Sequence, residues 1–333
     1  MSLLNLKNDI QIPAWLKKFT LLLVSGVILY YYFRNYNWAK ILRAIQSSHF
    51  TLAIISTVIP QLFFWYFEVL ITERHIVWFH GPFSFKEFFW ARGAIYLMVM
   101  INPSLGFGGV SLYLWRKAQI KWIKLWGIML FRFLLSIWGI CIALIPATLG
   151  IQLYWAKEYS IVYFYVWYAI LFIMFFWMIE TWVFWQRKKY SGLNKLIIRN
   201  PESDLWIAFR KSTRKQWILT WIMGITPFML YLIGIYFLSL AFEVNIPFLK
   251  FMVLSPIAMV IADIPFSFAG FGTTTMAFIT FFGNYGSPES IATLTLFFPF
   301  ARTAVRALIG LISIRYASQD INSLLKKSTT KIN

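Results

Sequence analysis

The chain has 333 residues, of which 60% are hydrophobic and 13% charged, with a mean hydropathy of +0.67 and a formal net charge of +19. Those proportions exclude an ordinary soluble domain, and because the apolar runs are continuous rather than alternating they exclude a β-barrel as well. One cysteine, Cys141, and scattered His49, His75 and His80 leave no disulfide framework and no metal-ligand spacing, so no metal and no cofactor is expected; the Lys/Arg excess fits cytoplasmic loops facing anionic lipid and needs no nucleic acid.

Residues 1–18 are a polar lead, and Phe19 to Phe33 is an apolar run ending in Tyr30-Tyr31-Tyr32. No small-residue cleavage site follows, which predicts an uncleaved first span. Arg34 to Phe50 carries Arg34, Lys40 and Arg43 and reads as an amphipathic surface segment. Leu52 to Ile71 is a second span, holding Gln61 and Glu68, and Thr72 to Arg92 is of mixed polarity.

Gly93 to Ile101 falls short of the roughly 20 apolar residues that a crossing needs. It runs into Asn102-Pro103-Ser104-Leu105-Gly106-Phe107-Gly108-Gly109, a predicted interruption at 102–109. Arg116, Lys117, Lys121 and Lys124 follow, then a long span, Leu125 to Leu149, containing Arg132. Residues 150–160 carry only the pair Lys157 and Glu158. Ile161 to Trp185 is a span with Glu180 near its end. Gln186 to Lys215 is the most basic loop, with nine Lys/Arg against Glu202 and Asp204, and Gln216 to Ala241 spans next.

A second interruption is predicted at 263–275. Two short apolar runs, Phe248 to Ile261 and Met276 to Phe282, flank Asp263, Pro265, Ser267, Gly270, Phe271, Gly272 and Thr273. The last span, Ser290 to Ile314, carries Pro299, Arg302 and Arg306, and a basic tail follows. Pro, then Ser, then Gly-Phe-Gly between short apolar runs occurs once in each half of the chain. Paired broken segments of this kind point to a transport site between inverted repeats. A chance echo, or tight loops at the membrane surface, is the plainer alternative. In the first reading Pro103 and Pro265 each end a short helix. Gly106, Gly108, Gly270 and Gly272 then let backbone approach a ligand. Ser104, Ser267 and Thr273 supply hydroxyls, and a helix resuming at Gly272 points its N-terminus at an anion.

Six ionisable residues fall in or beside the apolar runs: Glu68, Glu180, Asp263, Arg132, Arg302 and Arg306. A lone charge at bilayer depth costs about 2.5–3.5 kcal/mol on insertion scales, so such groups pair or line a polar cavity. Glu68, Arg132 and Glu180 are therefore expected to be buried charge partners. Arg302 and Arg306, four apart, share a helix face, and guanidinium forks suit phosphate. Snorkelling of Arg306 and Glu180 to the interface stays open beside that reading. No phosphate-binding loop with its Lys appears.

These residues carry a resemblance. The Pro-then-Gly break of the first half with Arg116 after it resembles the membrane region of the lysylphosphatidylglycerol synthase/flippase family. So do Pro265-Phe266-Ser267-Phe268-Ala269-Gly270-Phe271-Gly272, Gly286-Ser287-Pro288-Glu289-Ser290 and the Arg-bearing last span. Where that family commonly has an Arg-Glu pair after its Gly-x-Gly, Thr274 and Thr275 stand here. The resemblance implies movement of a polar lipid between leaflets, and without a soluble transferase domain before Asn333 it implies no synthesis.

The expectation is an all-α integral membrane protein forming a single polytopic domain, residues 1–333, with halves 1–150 and 151–333. It has about seven or eight helical segments, two of them interrupted or re-entrant. It is expected to be a non-enzymatic flippase-like protein of the inner (plasma) membrane, with basic loops and C-terminus cytoplasmic. Its partners are the membrane and a phospholipid or other polar lipid with an anionic or zwitterionic headgroup; a homo-oligomer stays open. Two alternatives remain: a membrane enzyme using Glu68 or Asp263 as base, and a non-catalytic subunit that recruits an enzyme through residues 186–215.

Overall fold

The computed structural model describes residues 49–101, 103–155, 161–188, 192–262 and 271–329. Every regular element among them is helical. In chain order these are α1 (Phe50–Phe79), α2 (Phe85–Ile101), α3 (Pro103–Ala118), α4 (Trp122–Trp155), α5 (Ile161–Gln186), the short α6 (Leu193–Ile197) and α7 (Ile207–Lys211), then α8 (Arg214–Ala241), α9 (Phe248–Ala262), α10 (Phe271–Phe282) and α11 (Pro288–Thr329). Stretches of α1, α4, α5, α8 and α11 are long and apolar enough to cross a membrane, so the chain is a multi-pass membrane protein. The expected first span (19–33) and the basic segment after it lie outside the described residues.

Local chemistry sets the helix ends. Thr213 and Gln216 form a capping box on α8: the Thr213 hydroxyl accepts from Gln216 N at 3.3 Å and the Gln216 amide oxygen from Thr213 N at 2.8 Å. At the start of α11 the Ser287 hydroxyl accepts from Ser290 N at 3.0 Å, with Pro288 at the first helical position.

The long helices run antiparallel or parallel as their contacts require. His49 N donates to Ala241 O at 3.2 Å and His75 Nε2 lies 3.0 Å from Thr220 Oγ1, so α1 and α8 are antiparallel. Trp138 of α4 meets Trp177 of α5 with ring centroids 5.9 Å apart, and Gln152 meets Tyr168, which makes that pair antiparallel too. Basic segments at 117–124, at 192–215 and at Arg315 thereby gather at one end of the bundle. Leu205 backbone presses on Gly127 there, and Trp206 and Phe209 pack on Trp185.

α2 and α3 form a helical hairpin. At its base Glu87 and Lys117 form an ion pair at 3.2 Å, Phe88 stacks on Tyr113 at 6.0 Å, and His80 Nε2 lies 2.9 Å from Ala118 O. Further up, Gly106 lies against Val99 so closely that a side chain there has no room. The base sits at the basic end of the bundle. α9 and α10 make a second pair, with Phe251 stacked on Phe282 at 5.5 Å and Asn245 N donating to Tyr285 O at 3.0 Å. Its base sits at the opposite end, after α8 and before α11. Each of these four helices has 17 residues or fewer, short of the roughly 20 that a crossing needs.

The interruptions differ in detail from the sequence reading. Only residue 102 separates α2 from α3, and Gly106, Phe107, Gly108 and Gly109 are helical, not part of a broken stretch. Pro103 opens a helix instead of ending one, which costs nothing because the first-turn N–H groups lack intrahelical partners anyway. In the second half helix resumes at Phe271, so Gly272 to Thr275 are helical too, while 263–270 lie outside the described residues.

The packing between the halves comes in matching sets. α1, the α2–α3 hairpin and α4 form one set; α8, the α9–α10 pair and α11 form the other. α1 packs on α8, α2 packs on α11, and α9 packs on α4. Close approach of α2 to α11 rests on glycine: a Cβ at Gly93 meets Ser313 and Trp65, and one at Gly310 meets Leu97. The apolar core has two parts. One is built on Phe251, Leu254, Phe282 and Leu232, and the other on Trp138, Phe131, Trp217 and Phe88.

Candidate functional site

Three pairs spaced four residues apart, each on one face of its helix, converge where α1, α2 and α11 meet. Glu68 and Thr72 come from α1, Arg92 and Tyr96 from α2, Arg302 and Arg306 from α11. Arg92 Nη2 donates to Glu68 Oε1 at 2.7 Å, and the Tyr96 hydroxyl donates to Glu68 Oε2 at 3.1 Å. Both carboxylate oxygens are thus engaged. The Thr72 hydroxyl donates to the Glu68 backbone carbonyl at 2.7 Å and in turn accepts from Arg132 Nη1, which reaches in from α4. The Tyr96 ring lies under two cations, with the Arg92 guanidinium 4.4 Å and the Arg306 guanidinium 5.4 Å from its centroid. Arg302 Nη1 donates to the Tyr231 hydroxyl of α8 at 2.6 Å.

The layer is deep. By helical rise, Arg132 stands roughly 15 Å from the start of α4, Glu68 roughly 16 Å from the end of α1, and Arg306 roughly 14 Å from Arg315, where charge returns to α11. The start of α4, the end of α1 and Arg315 lie at the basic end of the bundle, so the three distances agree on a level near the middle of a hydrocarbon core about 30 Å thick. α2 runs antiparallel to α11, with Trp90 stacked on Tyr316 at 4.4 Å and Tyr96 by Arg306, so its end at Ile101 comes to the level of Arg302. Arg302 also marks the seam between the two cores, since Phe298 belongs to one and Ile309 to the other.

Electrostatically the layer is lopsided. Among the described residues it holds one carboxylate, Glu68, and four guanidinium groups, Arg92, Arg132, Arg302 and Arg306. Arg132 and Arg306 both lie within electrostatic reach of Glu68. Arg92 is 9% exposed, and its Nε and Nη1, like Nε of Arg306, are buried with no hydrogen-bond partner among the described residues. Gln61, 1% exposed and on the Glu68 face of α1, has both amide atoms in the same condition. Buried donors left unmatched are costly, so the arrangement is suited to receive hydrogen-bond acceptors that carry negative charge.

The expected site residues divide. Glu68, Arg132, Arg302 and Arg306 come together. Glu180 does not join them: its Oε1 accepts from Asn194 N at 2.8 Å and holds the start of α6, while Asn194 Nδ2 donates to Thr181 Oγ1 at 3.0 Å. The reason is position, since Glu180 is near the end of α5, the helix farthest from α2 and α11 in the packing order. Arg116 is exposed in the last turn of α3, at the hairpin base and away from the arginine layer. Gly106 serves the α2–α3 contact, and Gly108 faces open space with nothing near its Cβ position. Pro103 and Ser104 begin α3, and Gly272 and Thr273 begin α10; Asp263, Ser267 and Gly270 lie outside the described residues. Arg92, Tyr96, Thr72 and Tyr231 were missed. Arg92 closes the stretch of mixed polarity, Thr72 to Arg92, and was not counted among the charges in apolar runs; the signal for it is Arg92 and Tyr96 at helical spacing. Among the described residues no group of His, Cys, Asp and Glu could hold a metal ion.

Residues 19–310 match the family model described as the lysylphosphatidylglycerol synthase TM region. No curated protein and no solved structure matches the chain.

Proposed function

The chain belongs to the lysylphosphatidylglycerol synthase transmembrane-region family, and from that premise we propose that it binds a polar lipid and carries its headgroup between leaflets without chemical change. Membership gives a lipid-related role at a membrane; the transport step is the further reading. What supports it most is the buried arginine layer at mid-depth, beside the end of one hairpin whose base is at one end of the bundle. A second hairpin enters from the other end. In the proposal both are re-entrant and related as inverted repeats, and their tips bound a polar groove that the headgroup crosses while its chains stay in lipid. The basic end, with residues 192–215, faces the cytoplasm of a plasma-membrane protein by the positive-inside rule. Acid–base chemistry has less support, because Glu68 is committed to Arg92 and Tyr96.

The test is reconstitution of the full chain in vesicles carrying a headgroup-labelled phospholipid in the inner leaflet. Appearance of label outside, faster than in protein-free vesicles and reduced at least about tenfold by Arg302→Ala, is the expected result. Equal rates with and without protein remove the transport reading.

A further inference from the structure

We infer that the arginine layer selects a phosphate-bearing headgroup of net negative charge and discriminates against headgroups that add a cation. The inference rests on the reading of this layer as the headgroup site, and names what it accepts. Three observations carry it. Among the described residues the layer has four guanidinium groups and a single carboxylate. Each oxygen of that carboxylate already accepts a hydrogen bond, Oε1 from Arg92 and Oε2 from Tyr96, and its charge is matched by Arg92, so an ammonium group would have to share it with a guanidinium. The donors left without partners, Arg92 Nε and Nη1 and Arg306 Nε, belong to two guanidinium groups that both lie against the Tyr96 ring, and Arg92 is nine-tenths buried.

A phosphate supplies several acceptor oxygens and a negative charge, and guanidinium forks bind it in two-point fashion. Bound between Arg92 and Arg306, it lowers the mutual repulsion of the layer and meets the open donors at once. A headgroup whose phosphate is balanced by its own ammonium brings the acceptors and no net charge. One with two ammonium groups adds positive charge where, among the described residues, positive charge is already in excess. At mid-bilayer depth water screens these differences poorly, so they translate into selectivity.

The experiment titrates the purified full chain in nonionic detergent with four probes and follows thermal unfolding through tryptophan fluorescence, since a ligand of the folded state raises the transition. The probes are short-chain phosphatidylglycerol (anionic), short-chain phosphatidylcholine (zwitterionic), the lysyl ester of the same phosphatidylglycerol (cationic) and inorganic phosphate. Phosphatidylglycerol is expected to bind at least about tenfold tighter than phosphatidylcholine, with the lysyl ester weakest. Inorganic phosphate is expected to bind more weakly than phosphatidylglycerol by a similar factor. Arg306→Gln should bring phosphatidylglycerol to within about threefold of phosphatidylcholine, while Arg306→Lys keeps the preference. Equal binding of the anionic and zwitterionic lipids, or tighter binding of the lysyl ester, overturns the inference. Inorganic phosphate binding as tightly as phosphatidylglycerol makes this a free-phosphate site and removes the lipid. If Arg306→Gln does not fold, the order among the four probes on the natural chain and on Arg306→Lys decides. Anion preference without translocation in vesicles removes the transport reading alone; translocation without anion preference removes this one alone.

Discussion

Glu68 and Arg92 show how a charge pair survives at bilayer depth. Each is taken out of water at high cost, and a good hydrogen bond at 2.7 Å together with the Tyr96 hydroxyl offsets it. The pair has to act against three further arginines, so its removal is asymmetric. Glu68→Gln leaves four guanidinium groups with no described carboxylate among them and is expected to destabilise the fold by about 3–5 kcal/mol. Adding Arg92→Gln should restore part of that loss, with a coupling of roughly 1–3 kcal/mol in a double-mutant cycle on thermal unfolding. Strictly additive losses would show that the two side chains do not support each other.

At the scale of elements, glycine decides where helices meet. Gly106 packs on Val99 within the α2–α3 hairpin, and a Cβ built on it lies 3.3 Å from that of Val99. Disulfides need Cβ separations near 3.5–4.5 Å, which a small adjustment supplies. The pair Val99→Cys and Gly106→Cys, in a Cys141→Ser background, should therefore close on mild oxidation, seen as loss of both thiols to a maleimide reagent. Two thiols that stay reactive under oxidation would mean that α3 does not fold back along α2. The sequence made this pairing readable only in outline. It marked a break near Pro103 and two short segments, but placed Gly106 to Gly109 in the break, because Gly usually signals interrupted helix. In this hairpin the glycine is used for its missing side chain, and the backbone stays helical.

For the whole molecule, charge and helix order tell the same story about orientation. Successive crossings alternate, and the basic segments at 117–124, 192–215 and Arg315 come to one end. Asn200, exposed in the largest of them, is the position to label. In a Cys141→Ser background, Asn200→Cys in intact cells is expected to resist an impermeant thiol reagent and to react once the membrane is opened. Labelling before opening would invert the topology and with it the face from which the α2–α3 hairpin enters.

By itself the sequence determined the class of this protein. A span is a local property, a run of apolar residues set by the cost of burying polar backbone in lipid, so the long crossing helices and the basic end were legible along the chain, while α3, α6 and α7 were not. It also singled out Glu68, Arg132, Arg302 and Arg306, because a charge in an apolar run is anomalous wherever it points. Partnership was not legible. Glu180 and Glu68 look alike in sequence, yet one caps α6 and the other sits among arginines. Arg92, Tyr96 and Tyr231 acquire their meaning only when α2, α8 and α11 are brought side by side. Those choices belong to tertiary structure, because a buried charge is stabilised by whatever lies across the helix contact, and that neighbour is distant in sequence: 24 residues for Glu68 and Arg92, 71 for Tyr231 and Arg302.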